Sequence, residues 1–289
     1  MPAADAAQPR ATEEIRLAGR VAIVTGAARG LGQAMATALA RAGAATIFAD
    51  LDEAALAATV GALAGQGKAR AISCDITDRR SCERLIAETI EIFGALHILV
   101  NNAGKGPAHV ERAPGTKSHL FWESDPDIWQ QVIQTNVNGT FLVSRSAVPP
   151  MLKAGWGRIV NVTTSLGTMQ RRANSPYGVS KTAIEAETLI WAQDLAGTGI
   201  TVNSLIPGGA ADTEFVSASS RRDLAAAGRR FLQPAVMVPP ILWLASTLSD
   251  GITGARFVGR LWDGHLPPSE AAMKAREPPV LREIPAGER

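Results

Sequence analysis

Tyr177 and Lys181 are the residues of this chain whose types and spacing first point to chemistry. Four positions apart on a helix, they share one face and can meet the same small molecule. A free phenol has a pKa near 10 and is a poor base at neutral pH. A neighbouring ammonium favours the phenolate, and each tenfold gain in acidity corresponds to about 1.4 kcal/mol. The pair therefore predicts proton transfer, with Lys181 tuning Tyr177. Tyr177 is the single tyrosine in the sequence, so it is not one core aromatic among many.

A second constellation lies near the start. A β-branched run ends in Thr25-Gly26-Ala27-Ala28-Arg29-Gly30-Leu31-Gly32 and passes into an Ala-rich helical stretch. Glycines in such a turn let the backbone bend sharply and approach a pyrophosphate at the helix N-terminus. An ordinary strand-to-helix turn also carries glycines, and an acidic residue ending the next strand separates the two readings. That residue is Asp50, 18 positions beyond Gly32. There a carboxylate accepts hydrogen bonds from the adenosine ribose hydroxyls of a dinucleotide. An ionised Asp50 repels a 2′-phosphate, so NAD is expected in preference to NADP, although Arg29 offers such a phosphate a partner.

The elements that position these residues follow from the hydrophobic pattern. Short β-branched runs at 21–25, 46–49, 69–74, 98–101, 159–162, 201–205 and 257–258 alternate with Ala-rich helical stretches. That alternation predicts βαβ units and a doubly wound, seven-stranded parallel sheet with helices on both faces. Gly43 and Gly94 stop the first and third helices, while Asp125-Pro126 and Ser175-Pro176 each read as an N-cap followed by proline at the first helical position. Pro149 and Pro150 fall in a pattern that looks helical over 127–153 and are expected to kink or end it.

The bulk properties bound the function. A chain of 289 residues with 46% hydrophobic side chains has enough material for one large core. The net charge of +2 is small and the basic residues are scattered, so no nucleic-acid partner is expected. Cys74 and Cys82 lack the C-x-x-C spacing of a redox or zinc site and are too few for a disulfide framework. No metal is expected, and a reducing cytoplasmic setting is the simpler one. The first ten residues lack the apolar region of a signal peptide, and no run reaches the roughly 18 apolar residues of a spanning helix. Neither export nor a membrane partner is expected. The segments 1–16 and 265–289 read as mobile tails around a domain at 17–264, with a substrate lid near 210–239.

Thr25 to Gly32, Asn101-Asn102-Ala103-Gly104, Asn136, Tyr177-x-x-x-Lys181 and Pro207-Gly208 occur in this order. As a set they resemble the short-chain dehydrogenase/reductase family over about residues 17–264, and within it a bacterial group labelled gluconate 5-dehydrogenase-like or 3-oxoacyl-carrier-protein-reductase-like. The resemblance implies a single-domain Rossmann fold and a catalytic set of Asn136, Thr164, Tyr177 and Lys181. Thr164 stands where the family has serine. It keeps the hydroxyl, while its methyl stiffens χ1 and takes up space. Ser165 is its neighbour, but adjacent side chains at a strand end point to opposite sides. The residue matching Asn136 holds a water on the proton path in the family, and a buried structural amide is the alternative.

Cofactor contacts carried over from matching positions are Gly26, Arg29, Gly30, Leu31, Gly32, Asp50, Leu51, Asp75, Ile76, Asn102, Ala103, Gly104, Tyr177, Lys181, Pro207 and Gly208. Asp75 also reads as a plain turn residue, and the family's threonine after Pro-Gly is displaced by one position to Thr213. The implied activity is NAD-dependent interconversion of a secondary alcohol and a ketone. A catalytically idle NAD-binding regulator, an NADP-dependent 3-oxoacyl reductase, and a lyase or epimerase with bound NAD stand as alternatives. Substrate choice falls to 105–124, 168–174 and 210–239. There Arg171, Arg172, Arg221, Arg222, Arg229 and Arg230 are an anion clamp or solvated surface, and Phe121 and Trp122 are a candidate apolar wall. The resemblance also implies a homo-oligomer, dimer or homotetramer, formed by the helices around Asn136 and Tyr177.

Overall fold

In the computed structural model, the described residues are 15–63, 65, 67–111 and 120–281. The chain opens with β1 (Val21–Thr25), α1 (Gly30–Arg41), β2 (Ala45–Asp50), α2 (Glu53–Gly61), β3 (Ala69–Ser73), α3 (Arg79–Phe93) and β4 (Ile98–Asn101). Two helices follow, α4 (Pro107–Glu111) and α5 (Pro126–Ile133), then a π-helical turn (Gln134–Gly139) that runs into α6 (Thr140–Ala154). Next come β5 (Gly157–Val162), α7 (Leu166–Met169), α8 (Tyr177–Asp194), β6 (Ile200–Ile206), α9 (Ala218–Ala226), α10 (Val238–Leu244), β7 (Arg256–Val258), α11 (Pro268–Ala275) and β8 (Arg276–Glu277).

The strands form one sheet in the order β3-β2-β1-β4-β5-β6-β7-β8. Alternating side chains feed two cores, as the two-residue period of a strand requires. Ala22 and Val24 of β1 join Met35 and Leu39 of α1 and Ile241 of α10 on one face. Ile23 joins Leu85 of α3 and Val143 and Met151 of α6 on the other. The strand order reverses between β1 and β4, and such a switch point opens a crevice beyond the strand C-termini.

The expected single-domain, doubly wound Rossmann class holds, with three local corrections. An eighth strand, β8, pairs antiparallel with β7. The segment expected as a mobile tail from 265 therefore contains a helix and a strand. Ala271, Ala272 and Ala275 of α11 are fully buried, which supplies the apolar contact that keeps the segment down. Residues 282–289 of that tail, 1–14 of the other and 112–119 of the expected substrate loop lie outside the described residues. Pro149 and Pro150 do not end their helix, since α6 continues to Ala154 and stops at Gly155. Their missing N–H groups cost least here because Arg145 and Pro149 are on the exposed side, where water can meet the freed carbonyls. Ser175 is not an N-cap. The hydroxyl accepts the Trp129 indole N–H at 3.2 Å, and the carbonyl of Asn174 takes the Gly178 N–H at 2.7 Å.

Candidate active site

The glycine turn sits at the switch point between β1 and α1. Gly26 and Gly30 have positive φ of 64° and 60°, a region open to glycine and costly for other residues. A Cβ on Gly26 would come 2.8 Å from Ala103 Cα, so the turns after β1 and β4 can touch only without one. Asn102 locks them together, its amide donating to the carbonyls of Thr25 and Gly26 at 3.0 Å each. No side chain among the described residues caps α1. The N–H groups of its first turn, Leu31 and Gly32 among them, are therefore available to an anion.

Asp50, at the end of β2, lies beside the glycine turn. Its carboxylate accepts from Ala28 N–H at 3.1 Å and from Asp52 N–H at 3.3 Å. Arg29 is held by the carboxylates of Asp52 and Glu214, the latter at 3.2 Å. Leu51 is exposed and Ile76 buried beside this edge. One oxygen of Asp75 accepts both the N–H and the hydroxyl of Thr77 at 2.8 and 2.7 Å, which is turn geometry. At the far end, Arg260 donates to the Gly208 carbonyl at 2.8 Å and its N–H to the Pro207 carbonyl at 3.0 Å. These features suit an extended dinucleotide, with an anion-ready helix start between the Asp50 carboxylate and the Pro207-Gly208 turn.

Tyr177 and Lys181 lie in the first turns of α8, both buried. Burial pushes the Tyr177 phenol up to about 12, while a hydrogen bond from Thr164 and the charge of Arg171 pull the other way. Burial also brings Lys181 down to about 8, opposed by the negative charge of Glu185. Lys181 Nζ donates to the Val162 carbonyl at 2.8 Å, which pins the ammonium at the end of β5. Thr164 faces the phenol. Ser165 turns away to cap α7, paired with Thr168 Oγ1 at 2.9 Å. The structure thus brings Thr164, Tyr177 and Lys181 together.

Asn136 stands in the π-helical turn, fully buried. Its side chain accepts from Lys105 N–H at 2.7 Å and donates to the Lys105 carbonyl and to Ser180 Oγ at 2.9 Å each. Ser180 in turn donates to the Tyr177 carbonyl at 2.8 Å. Asn136 therefore clamps the chain after β4 to α8, as a structural amide does. Gly104 lies beside it: a Cβ there would meet Asn136 Oδ1 at 3.0 Å and Lys181 Nζ at 3.8 Å.

The segment after β6 folds over this group. Thr213 lies against the glycine turn, its Cγ2 placed 3.0 Å from where a Gly30 Cβ would be. Phe215 packs edge-on against Tyr177 with ring centroids 5.6 Å apart. Glu111 of α4 accepts the N–H groups at the start of α9. Arg221 is occupied within the segment by Asp212 at 2.9 Å and the Thr213 carbonyl. Arg171 and Arg172 are exposed, although the charge of Arg171 reaches the phenol. Phe121 and Trp122 are 73% and 65% exposed and stack edge-on with each other, so they wall no cavity among the described residues. Sequence reasoning missed Glu111, Ser180, Glu185, Glu214, Phe215 and Arg256. Of these, Glu185 and Ser180 carried a signal, through helical spacing from Lys181 and Tyr177.

Comparison with known proteins agrees with this geometry. The sequence profile of the short chain dehydrogenase family matches residues 20–223. A 3-oxoacyl-(acyl-carrier-protein) reductase of Thermotoga maritima is 31% identical over 251 residues, covering 83% of this chain and 96% of that protein. A 2,5-dichloro-2,5-cyclohexadiene-1,4-diol dehydrogenase of Sphingobium indicum is 34% identical over 195 residues, 67% of this chain and 74% of that one. Among solved structures, a short-chain type dehydrogenase/reductase from Mycobacterium marinum superposes with a TM-score of 0.75 at 29% identity, covering 85% of this chain and 96% of the other. No helix among the described residues is long and apolar enough to cross a membrane.

Proposed function

The chain belongs to the short-chain dehydrogenase family, NAD(P)-dependent enzymes acting on CH–OH and C=O groups of small molecules, and we propose that it interconverts a secondary alcohol and a ketone with NAD. The observation that carries this reading is the buried Tyr177 phenol with Lys181 four residues on along the same helix, its Nζ 6.0 Å from the centre of the tyrosine ring. Tyr177 gives a proton to the oxygen of the forming alcohol, or takes it from the alcohol being oxidised. Thr164 donates a hydrogen bond to the same oxygen and holds the substrate in line. Lys181 supplies the positive charge that favours phenolate.

Gly26, Gly30, Leu31 and Gly32 would hold the pyrophosphate, Asp50 the adenosine ribose, Lys181 and the turn from Asn102 to Gly104 the nicotinamide ribose, and Pro207-Gly208 the carboxamide. When bound, the nicotinamide supplies or accepts the hydride. The preference for NAD rests on the charges around Arg29. A 2′-phosphate there meets Asp50, Asp52 and Glu214, and Arg29 is already paired with the last two.

A second reading, reduction of 3-oxoacyl thioesters, is favoured by the name of the Thermotoga relative. A homo-oligomer, dimer or tetramer, is supported by exposed apolar side chains on α5, α6 and α8: Trp129, Phe141, Val179 and Ile190. The deciding experiment follows NAD and NADP reduction over polyols, sugar acids, hydroxysteroids and 3-hydroxyacyl esters, with Tyr177→Phe as control. Turnover that depends on Tyr177 and prefers NAD bears the proposal out. Undiminished turnover by Tyr177→Phe overturns the mechanism, and equal efficiency with NADP overturns the cofactor assignment.

A further inference from the structure

A buried ion pair is anchored on the helix that carries Tyr177 and Lys181. Arg256 of β7 and Glu185 of α8 are 2% and 4% exposed and bonded to each other. The Arg256 guanidinium is shared among four groups. One Nη contacts Glu185 and the Thr163 hydroxyl at 3.3 Å. The other Nη donates to the backbone carbonyl of Thr164 at 2.8 Å. Nε reaches the Glu277 carboxylate of β8 at 3.4 Å. Glu185 also accepts from the hydroxyls of Thr163 and of Ser204, the latter at 3.2 Å. One charge pair therefore ties the end of β5 to β6, β7, β8 and the helix that carries Tyr177 and Lys181.

We propose that Arg256, anchored by Glu185 and Glu277, is the positioning residue that fixes the Thr164 backbone so that its hydroxyl meets the Tyr177 phenol. The need for it follows from the threonine. A β-branched side chain has little freedom at χ1, so the direction of its hydroxyl is set by the backbone that bears it. A serine could rotate to compensate for a displaced carbonyl; Thr164 cannot. Arg256 suits the task because its planar fork bonds a carboxylate and a carbonyl at once, which a lysine ammonium on a single stem does not. The Glu185 carboxylate also acts on Lys181, so Arg256→Lys, which leaves every charge of the cluster in place, is the variant that isolates the position of Thr164 from the field of the pair.

This inference rests on the reading of Tyr177 and Thr164 above. Its test uses the single tyrosine of the chain, whose ionisation is followed by ultraviolet absorbance on the NAD-saturated protein without any substrate. Thr164→Val, which removes the donor, is expected to raise the tyrosinate midpoint by about 0.5–1 in pH. Arg256→Lys keeps the charge on Glu185 and loses the fork; Arg256→Met with Glu185→Met removes both charges together. Each is expected to raise the midpoint in the same direction, and neither shift should add to that of Thr164→Val. Glu277→Gln, on the more exposed partner, should give a smaller shift.

An Arg256→Lys midpoint equal to the parent's, while Thr164→Val moves it, overturns the proposal. So does an Arg256 shift that persists at full size in the Thr164→Val background, because the pair then acts without Thr164. If Thr164→Val itself leaves the midpoint in place, it is the Thr164–Tyr177 reading that fails. Should the double Met variant not fold, Arg256→Lys decides alone, with unchanged NAD affinity as the check on its integrity.

Discussion

Glu111 accepts the backbone N–H of Ser219 at 3.0 Å, so a carboxylate from the chain after β4 caps the helix of the segment that covers Tyr177. Burial alone would raise its pKa, but the hydrogen bonds from Ser219 and Ala218 and the charge of Arg222 hold it below the usual value. A depressed carboxyl stabilises the folded arrangement above its ordinary pKa and loses that contribution as pH falls through the lowered one. The latch is therefore fully made at neutral pH. Glu111→Gln should raise KM about 3- to 10-fold with little change in kcat, and should speed proteolysis within 210–239. Parent-like KM and cleavage rates would sink the latch.

Replacing Tyr177 removes the proton donor and leaves the cofactor crevice intact. Tyr177→Phe should lower kcat by about 10²- to 10⁴-fold, with NAD affinity, read by fluorescence titration, changed less than about 3-fold. The phenol is raised by burial to about 12, so in the direction of alcohol oxidation the rate should climb with pH. Lys181 is brought down to about 8 by burial and carries its charge only below that pH, so Lys181→Met should depress the rate below about pH 8 and leave the climb above it in place. A pH profile unaffected by Lys181→Met would contradict its tuning of the phenol.

At Thr164 the hydroxyl matters more than the methyl. Thr164→Ser should keep kcat within about 5-fold, whereas Thr164→Val should lose about 10- to 100-fold through the missing donor. Equal losses in the two variants would show that packing of the methyl, not hydrogen bonding, is what the site uses.

Cofactor choice should yield to charge. Asp50→Asn together with Glu214→Gln leaves Arg29 with one acidic partner and a neutral residue at the ribose, so kcat/KM with NADP relative to NAD should rise at least about 10-fold. An unaltered ratio would mean that these carboxylates do not discriminate.

Glu187 gives a test of stability. Burial raises its carboxyl to about 7, and one of its oxygens has no hydrogen-bond partner among the described residues. The folded pKa lies above the unfolded one, so the contribution to stability is present below about 4.5 and is lost as pH rises through about 7. Glu187→Gln should thus stabilise the protein at pH 8 by roughly 1–3 kcal/mol and be neutral near pH 4, by thermal or urea unfolding at both values. A variant no more stable at pH 8 than at pH 4 would refute this.

The fold class was legible because a parallel sheet writes itself as β-branched runs between helical periods, and the predicted strands match β1 and β4 residue for residue. The C-terminal strand escaped because β8 is two residues long and pairs through its backbone, which leaves no hydrophobic pattern to read. The prolines of α6 misled because their cost depends on which side of the helix faces water, and that is a property of packing.

Local spacing alone put Tyr177 and Lys181 on one helical face, and the glycine turn announced its bend and its helix start. Both are determined within a few residues of chain. The tertiary structure decided what lies far apart in sequence: that Thr164 and not Ser165 meets the phenol, that Asn136 spends its side chain on Lys105 and Ser180, and that Arg29 is held by Asp52 and Glu214. It also brought Arg256 to the Thr164 carbonyl, 92 residues away. A hydrogen bond between distant residues is fixed by strand order and helix packing, and no local pattern in the sequence encodes it.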